Sequence, residues 1–323
     1  MIKLIYPQFW QTKNITAYLL LPFSVIYWFL GYIRYYIARP INLPAKVICV
    51  GNVNVGGSGK TQLVIWLADF FKSRNIKFVI ITKGYGSNLK KATLVTKQHD
   101  AEEVGDESLV LQNYGSVIAS KKIHYAVNII NELKPEIIIV DDGMQNPNFY
   151  KDLTILSIDA HRGFGNGFLI PAGPLRQNLD SGFKMADIVV SVGTDENPRI
   201  TYASKPFFYA KINPITKIDI SKTYFAFSSI GNPDRFFSSL TRENIKLSGN
   251  KIFPDHYNYS ALDLESLNIQ AKELDSILIT TKKDYVKVHN KLSAPLVCFD
   301  VSLVIKNHQE LENLIYEKIF KKN

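Results

Sequence analysis

Cysteine is almost missing from this chain: 323 residues contain two, Cys49 and Cys298. They stand far apart, each inside an apolar run (VICV and LVCF), and read as small buried hydrophobes in a reducing compartment. That scarcity excludes a disulfide-stapled scaffold, and the spacing excludes a cysteine metal site. No internal repeat or low-complexity tract stands out, apart from a basic end, KIFKKN, read as solvated. Zinc-finger, helix-turn-helix and RNA-recognition signatures are also missing. The lysine pairs Lys90-Lys91 and Lys121-Lys122 therefore read as solvated faces, and nucleic acid is not an expected partner. Nothing in the sequence implies an obligate protein partner.

What is present is ordinary globular composition, 46% hydrophobic and 21% charged, which excludes disordered and collagen-like classes. The length fits about two domains of roughly 150 residues each. A formal charge of +9 favours anionic partners: a nucleotide, a phosphorylated substrate or acidic lipid. One long run, NITAYLLLPFSVIYWFLGYI, carries no formal charge between Lys13 and Arg34. As a helix it would reach about 30 Å, the thickness of a bilayer core. Tyr18, Tyr27, Trp28 and Tyr32 suit headgroup depth, and Pro22 would kink or locally unwind the helix. A helix buried against the rest of the chain is the alternative. A cleaved leader is disfavoured, since no small-residue cleavage site follows and Arg34, Arg39 and Lys46 lead into a nucleotide motif. Residues 1–38 are thus expected to anchor the chain to a membrane surface, as one short span or an in-plane helix.

From residue 39 the pattern alternates between strands and helices. KVICV, KFVII, SVIAS, EIIIV and LTILSIDA read as strands, with helices in QLVIWLADFFKSR, GDESLVLQNYG and HYAVNIINELK. Continuous β-branched runs such as EIIIV mark strands covered on both faces. The expectation is an α/β fold: a P-loop, doubly wound, mostly parallel sheet over 39–217, then a smaller αβ unit over 218–323. MADIVVSVG, TYFAFSSIG, SILITTKKD and APLVCFDVSLVI supply its later strands.

GNVNVGGSGKTQ follows the first strand and opens a helix. Glycines there let main-chain amides approach phosphate oxygens, at a helix end whose dipole favours anions. Asn54, Val55, Gly56, Gly57, Ser58, Gly59, Lys60 and Thr61 form the expected nucleotide cradle. Lys60 would reach the β/γ-phosphates and Thr61 would suit Mg²⁺. Asn54 stands where the strict P-loop pattern has its first glycine. After EIIIV come Asp141 and Asp142, carboxylates at a strand end where nucleoside-triphosphate enzymes hold Mg²⁺ or its water.

GNVNVGGSGKT, KGYGS, VGDES, VDDGMQN, DAHRGFGNGFLIPAGPLRQN, AFSSIGNPDRFF, FPDHYNYS and ITTKKD occur in the order of tetraacyldisaccharide 4′-kinases, and the chain resembles that family over nearly its whole length after the anchor. The resemblance implies transfer of the γ-phosphate of ATP, with Mg²⁺, to the 4′-hydroxyl of a tetraacylated, 1-phosphorylated glucosamine disaccharide in lipid A synthesis. It implies a place on the cytoplasmic face of a Gram-negative inner membrane. It also points to Asp106 of VGDES as the base and His256 of FPDHY as its partner, 150 positions away, with domains closing over substrate. Arg176 of PAGPLR is a candidate clamp on a substrate or ATP phosphate.

The family pattern is broken at Ser108, Met144, Asn146, Gln177 and Lys282, where relatives commonly have GDEP, DDGFQH, PLRE and TEKD. No family role is carried to Asn146 or Gln177. Two rival readings use the same loop. Thr281-Lys282-Lys283-Asp284 resembles the guanine-reading element of a P-loop GTPase or switch at the membrane. A partitioning ATPase would need a lysine where Val55 stands.

Overall fold

The computed structural model describes residues 7–193 and 205–321. Helix α1 (Ile15–Tyr36) precedes β1 (Lys46–Gly51), α2 (Lys60–Ser73) and β2 (Phe78–Thr82). Then come β3 (Thr93–Leu94), α3 (Ala101–Val104), α4 (Asp106–Leu111), β4 (Ser116–Ala119), α5 (Val127–Leu133) and β5 (Ile137–Asp141). Next are β6 (Leu153–Asp159), α6 (Leu179–Met185), β7 (Ile188–Val192) and β8 (Phe207–Pro214). A second series holds β9 (Thr223–Ser228), α7 (Pro233–Arg242), β10 (Lys246–Ile252), α8 (Ala261–Glu273), β11 (Ile277–Thr281), α9 (Lys282–Val288) and β12 (Leu296–Phe299). β13 (Val301–Ile305) and α10 (His308–Phe320) follow.

Among the described residues nine strands form one sheet in the order β13-β8-β7-β6-β1-β5-β2-β4-β3, and four form another, β10-β9-β11-β12. The second sheet is parallel throughout; in the first, only β3 and β13 pair antiparallel. β1 lies between β5 and β6, so the loop after β1 opens where the sheet's connections diverge. Period-two alternation splits β1 between two cores. Ile48 and Val50 pack with Leu63, Leu67 and Phe71 of α2, while Val47 and Cys49 pack on the opposite face with Ile130 and Phe183. The small sheet is likewise covered twice, by α7 through Phe236 and Leu240 and by α8 through Leu264 and Leu267.

Several sequence expectations change. APLVCFDVSLVI is two strands in different sheets: β12 ends the small sheet, and β13 pairs with β8 in the large one. Leu311, Ile315 and Ile319 of α10 then join the core of the large sheet. The unit expected over 218–323 therefore returns to the first sheet after residue 300, because apolar α10 finds an uncovered face there. Ile319, inside the supposedly solvated KIFKKN, is buried; the two residues after Lys321 lie outside the described segments. β8 and β10 are additional strands whose half-exposed, polar-mixed patterns hid them. α1 runs unbroken through Pro22, since the proline removes only one bond of the ladder. The helix is not buried as the alternative reading had it: Ala17 and Ser24 alone are covered among its described residues, and Leu19, Phe23, Trp28 and Leu30 are exposed. Cys49 is buried and Cys298 half-buried, both free.

Candidate active site

The loop between β1 and α2 is held in shape by its neighbours. Ser157 on β6 donates its hydroxyl to the Ser58 carbonyl at 2.6 Å, and Asn52 donates to the Gly56 carbonyl at 3.2 Å. Asn54 donates its amide to the Gly163 carbonyl at 2.6 Å, so the residue replacing the usual first glycine ties the loop to the β6 exit. Gly59 has φ +85°, and a Cβ there would lie 2.9 Å from a Val192 methyl. A left-handed backbone and this close approach both demand glycine. Lys60 follows as the first residue of a fourteen-residue helix whose opening amides face the loop.

Around Lys60 the charges concentrate on Asp142. Its carboxylate lies 3.5 Å from the Lys60 ammonium and 3.8 Å from that of Lys83, and Arg176 Nη1 donates to both of its oxygens at 2.9 Å. Burial alone would raise the Asp142 pKa; the charges of Lys60, Arg176 and Lys83 outweigh it and hold the group well below the usual carboxylate range. Arg176, expected near phosphate, is thus anchored beside Lys60 by a carboxylate. Asp141, one residue earlier, is different. It is fully buried, its Oδ1 has no hydrogen-bond partner, and burial reinforced by the Glu107 charge pushes it up to about 7. Burial lowers the Lys60 pKa against the pull of Asp142.

On the far side of the loop, α4 begins with Asp106. Gly105 before it has φ +85°, and a Cβ there would strike the Tyr85 carbonyl at 2.9 Å. That tight approach presses Asp106 into the interior, where it is 4% exposed. His256 arrives from the small unit with a left-handed backbone, φ +55°, its amide donating to the Ser229 carbonyl at 3.1 Å. Its Nδ1 lies 3.0 and 2.9 Å from the two oxygens of Asp106. The two residues singled out 150 positions apart meet in one hydrogen-bonded pair, already formed without further closure of the units. Burial opposes the charge on Asp106, but the His256 hydrogen bond with the charges of Lys283 and Lys287 wins and lowers its pKa. Burial likewise opposes the imidazolium, and the bond to Asp106 raises the His256 pKa. Glu107, next to Asp106 on α4, pairs with Lys283 at 2.5 Å, and its charge also raises the pKa of Lys60 and of Asp141.

Residues the sequence reading passed over complete it: Lys83, at the exit of β2 beside the cradle, Glu107, Lys283 and Lys287. Lys83 carried a usable signal, since it directly follows a strand whose C-terminal end faces the loop. The departures are unremarkable locally: Asn146 accepts the Asn148 amide, and Gln177 donates to the Met185 sulfur. Asp284 disposes of the GTPase reading. Its side chain is fully buried and accepts from the Ser229 amide at 2.9 Å, Thr281 at 2.8 Å and Tyr259 at 3.0 Å, which leaves nothing to read a base.

A family model described as tetraacyldisaccharide-1-P 4′-kinase matches residues 16–320. The tetraacyldisaccharide 4′-kinase of Rickettsia rickettsii (strain Sheila Smith) is 58% identical over 326 residues, covering 100% of both chains. That of Rickettsia akari (strain Hartford) is 56% identical over 100% of this chain and 98% of its own. Among solved structures, LpxK from Aquifex aeolicus in complex with ATP superposes with a TM-score of 0.79 at 28% identity, over 95% of this chain and 100% of that one.

Proposed function

The chain belongs to the tetraacyldisaccharide 4′-kinase family, and on that premise we propose how its residues transfer the γ-phosphate of ATP to the 4′-hydroxyl of an acylated glucosamine disaccharide in lipid A synthesis. The observation that carries the reading is the hydrogen-bonded Asp106–His256 pair at the start of α4. Phosphoryl transfer asks a protein chiefly to position the reactants and neutralise charge. The loop amides and Lys60 hold the triphosphate, and Asp142 keeps Lys60, Lys83 and Arg176 gathered against it. Asp106 accepts the proton of the sugar hydroxyl as its oxygen bonds to the γ-phosphorus and the bond from that phosphorus to the β–γ bridging oxygen breaks to release ADP, while His256 fixes the carboxylate and shares the incoming proton.

The donors for Mg²⁺ fit the same place. Asp141 offers a buried oxygen with no hydrogen-bond partner, and Thr61 follows Lys60. Mg²⁺ takes one or two carboxylates and completes its shell with phosphate and water, which this donor set would allow. When bound, it would neutralise charge on the transferred phosphate. Asp142, committed to three cations, is the weaker of the two metal candidates.

The acceptor's acyl chains place the reaction at a bilayer. α1 is 22 residues long, long and apolar enough to cross a membrane, and little of it is buried. We read it as holding the enzyme to the cytoplasmic face of the inner membrane. Purified protein, γ-labelled ATP and Mg²⁺ incubated with the 1-phosphorylated acyl-disaccharide are expected to place label on the 4′ oxygen. Release of labelled phosphate to water alone would overturn the assignment.

A further inference from the structure

α9 meets the start of α4 through three lysines. Lys282 donates to the Tyr114 hydroxyl at 2.7 Å and pairs with Asp300; Lys283 pairs with Glu107. Lys287 lies deepest, with 5% of its side chain exposed. Its ammonium is 2.9 Å from Asp284, donates to the Ser229 hydroxyl at 2.6 Å and to the Tyr257 carbonyl at 3.2 Å, and stands 3.8 Å from Asp106. Its two hydrogen bonds and its close ion pair all lie within the small unit, and what reaches Asp106 is charge.

A buried ammonium is costly unless something requires it. Asp284 does not supply the whole reason: it already accepts from the Ser229 amide, the Ser229 hydroxyl, Thr281 and Tyr259. The other buried anion within reach is Asp106. We propose that Lys287 is a positioning residue for phosphoryl transfer: from the small unit, its fixed positive charge keeps Asp106 ionised and seated on His256. The inference rests on the reading of Asp106 as the base.

The charges facing the pair are few. Lys283 and Lys287 come from α9, Glu107 adjoins Asp106 on α4, and Asp255 stands 3.8 Å from His256 Nε2. Lys287 itself faces Asp284, Asp106 and the Tyr259 ring, 5.2 Å to the centroid. Removing one cation from this set makes a proton on the pair bind more tightly, and the pair titrates as a unit. The lowered Asp106 pKa agrees with that sign.

The test is Lys287→Met in the full chain, with the His256 ring followed by NMR across pH. Its titration midpoint is expected to rise by about one pH unit. kcat should fall at least about tenfold near pH 6 and recover in part towards about pH 9, with KM for ATP within about twofold. Lys287→Arg should restore the midpoint and most of the rate. Lys287→Gln, which keeps polar hydrogens without charge, serves as the second variant if the methionine destabilises the unit, and should shift the midpoint likewise. An unchanged midpoint in the folded uncharged variants overturns the inference, whether or not rate is lost. Turnover surviving in Asp106→Asn would instead overturn the underlying base reading.

Discussion

On the proposed reading Lys60 holds phosphate and Asp106 moves a proton, and their substitutions should separate the two roles. Lys60→Ala is expected to lose at least about a thousandfold in turnover and to weaken ATP binding. Asp106→Asn should lose about a hundred- to ten-thousandfold in turnover while binding ATP normally, since its side chain bonds to His256 and the Glu107 amide and not to the cradle. Steady-state kinetics paired with nucleotide titration checks both; near-normal turnover in Asp106→Asn would remove it as base. Lys60 was legible from the sequence because a glycine-rich loop is read from consecutive residues. The Asp106–His256 pair was legible only through the family resemblance. A carboxylate before an apolar run also reads as a helix start, and a histidine in a polar loop also reads as solvated. Lys83 was legible only from its place directly after a strand, and Lys287 could not be read as a site residue at all, because a lysine takes its meaning from groups on other elements.

Among the elements, the consecutive strands were read well and the long-range ones poorly. EIIIV and LTILSIDA carry their burial in local composition, and both are strands covered on two faces. β13 (VSLVI) is a short, mostly apolar strand much like β12 (LVCF), yet a different sheet receives it. No local pattern records that choice. Its consequence is measurable: Ile315 is completely buried in the large core, although it follows the whole small sheet in sequence. Ile315→Ala is expected to cost about 2–5 kcal/mol. Because α10 shares the core on which α2, the helix that begins with Lys60, is packed, the loss should appear in nucleotide-dependent thermal stability as well as in chemical denaturation. A cost below about 0.5 kcal/mol would mean that α10 contributes little to that core.

For the molecule as a whole, the helix read as the membrane anchor is also fastened to the site. Ser24 of α1 donates to the Leu169 carbonyl at 2.8 Å, and Tyr27 donates to the carbonyl of Arg176 at 3.0 Å, the residue that grips Asp142. The docked edge is polar and narrow, and the rest of the helix is apolar and open. Changing Phe23, Ile26 and Leu30 together to serine leaves those fastenings in place while removing exposed apolar surface. Partition onto phospholipid vesicles, measured by sedimentation, should weaken by at least about tenfold. ATP binding should stay unchanged, and turnover on acceptor embedded in vesicles should fall. Vesicle binding equal to that of the unaltered chain would count against α1 as the anchor.

The polypeptide passes between its two sheets twice, at residues 215–216 and again at residue 300, and the passages are bonded together: the Ile215 amide donates to the Asp300 carbonyl at 3.0 Å and the Asp300 amide to Thr216 at 2.8 Å. A ribosome must therefore translate the entire small sheet before residues 301–320 can seal the large one. Until then the nucleotide loop rests on an unfinished scaffold whose apolar flank stays open to chaperones and to neighbouring nascent chains. Synthesis interrupted shortly before residue 300 would yield a product with every cradle residue present and no sealed floor beneath them.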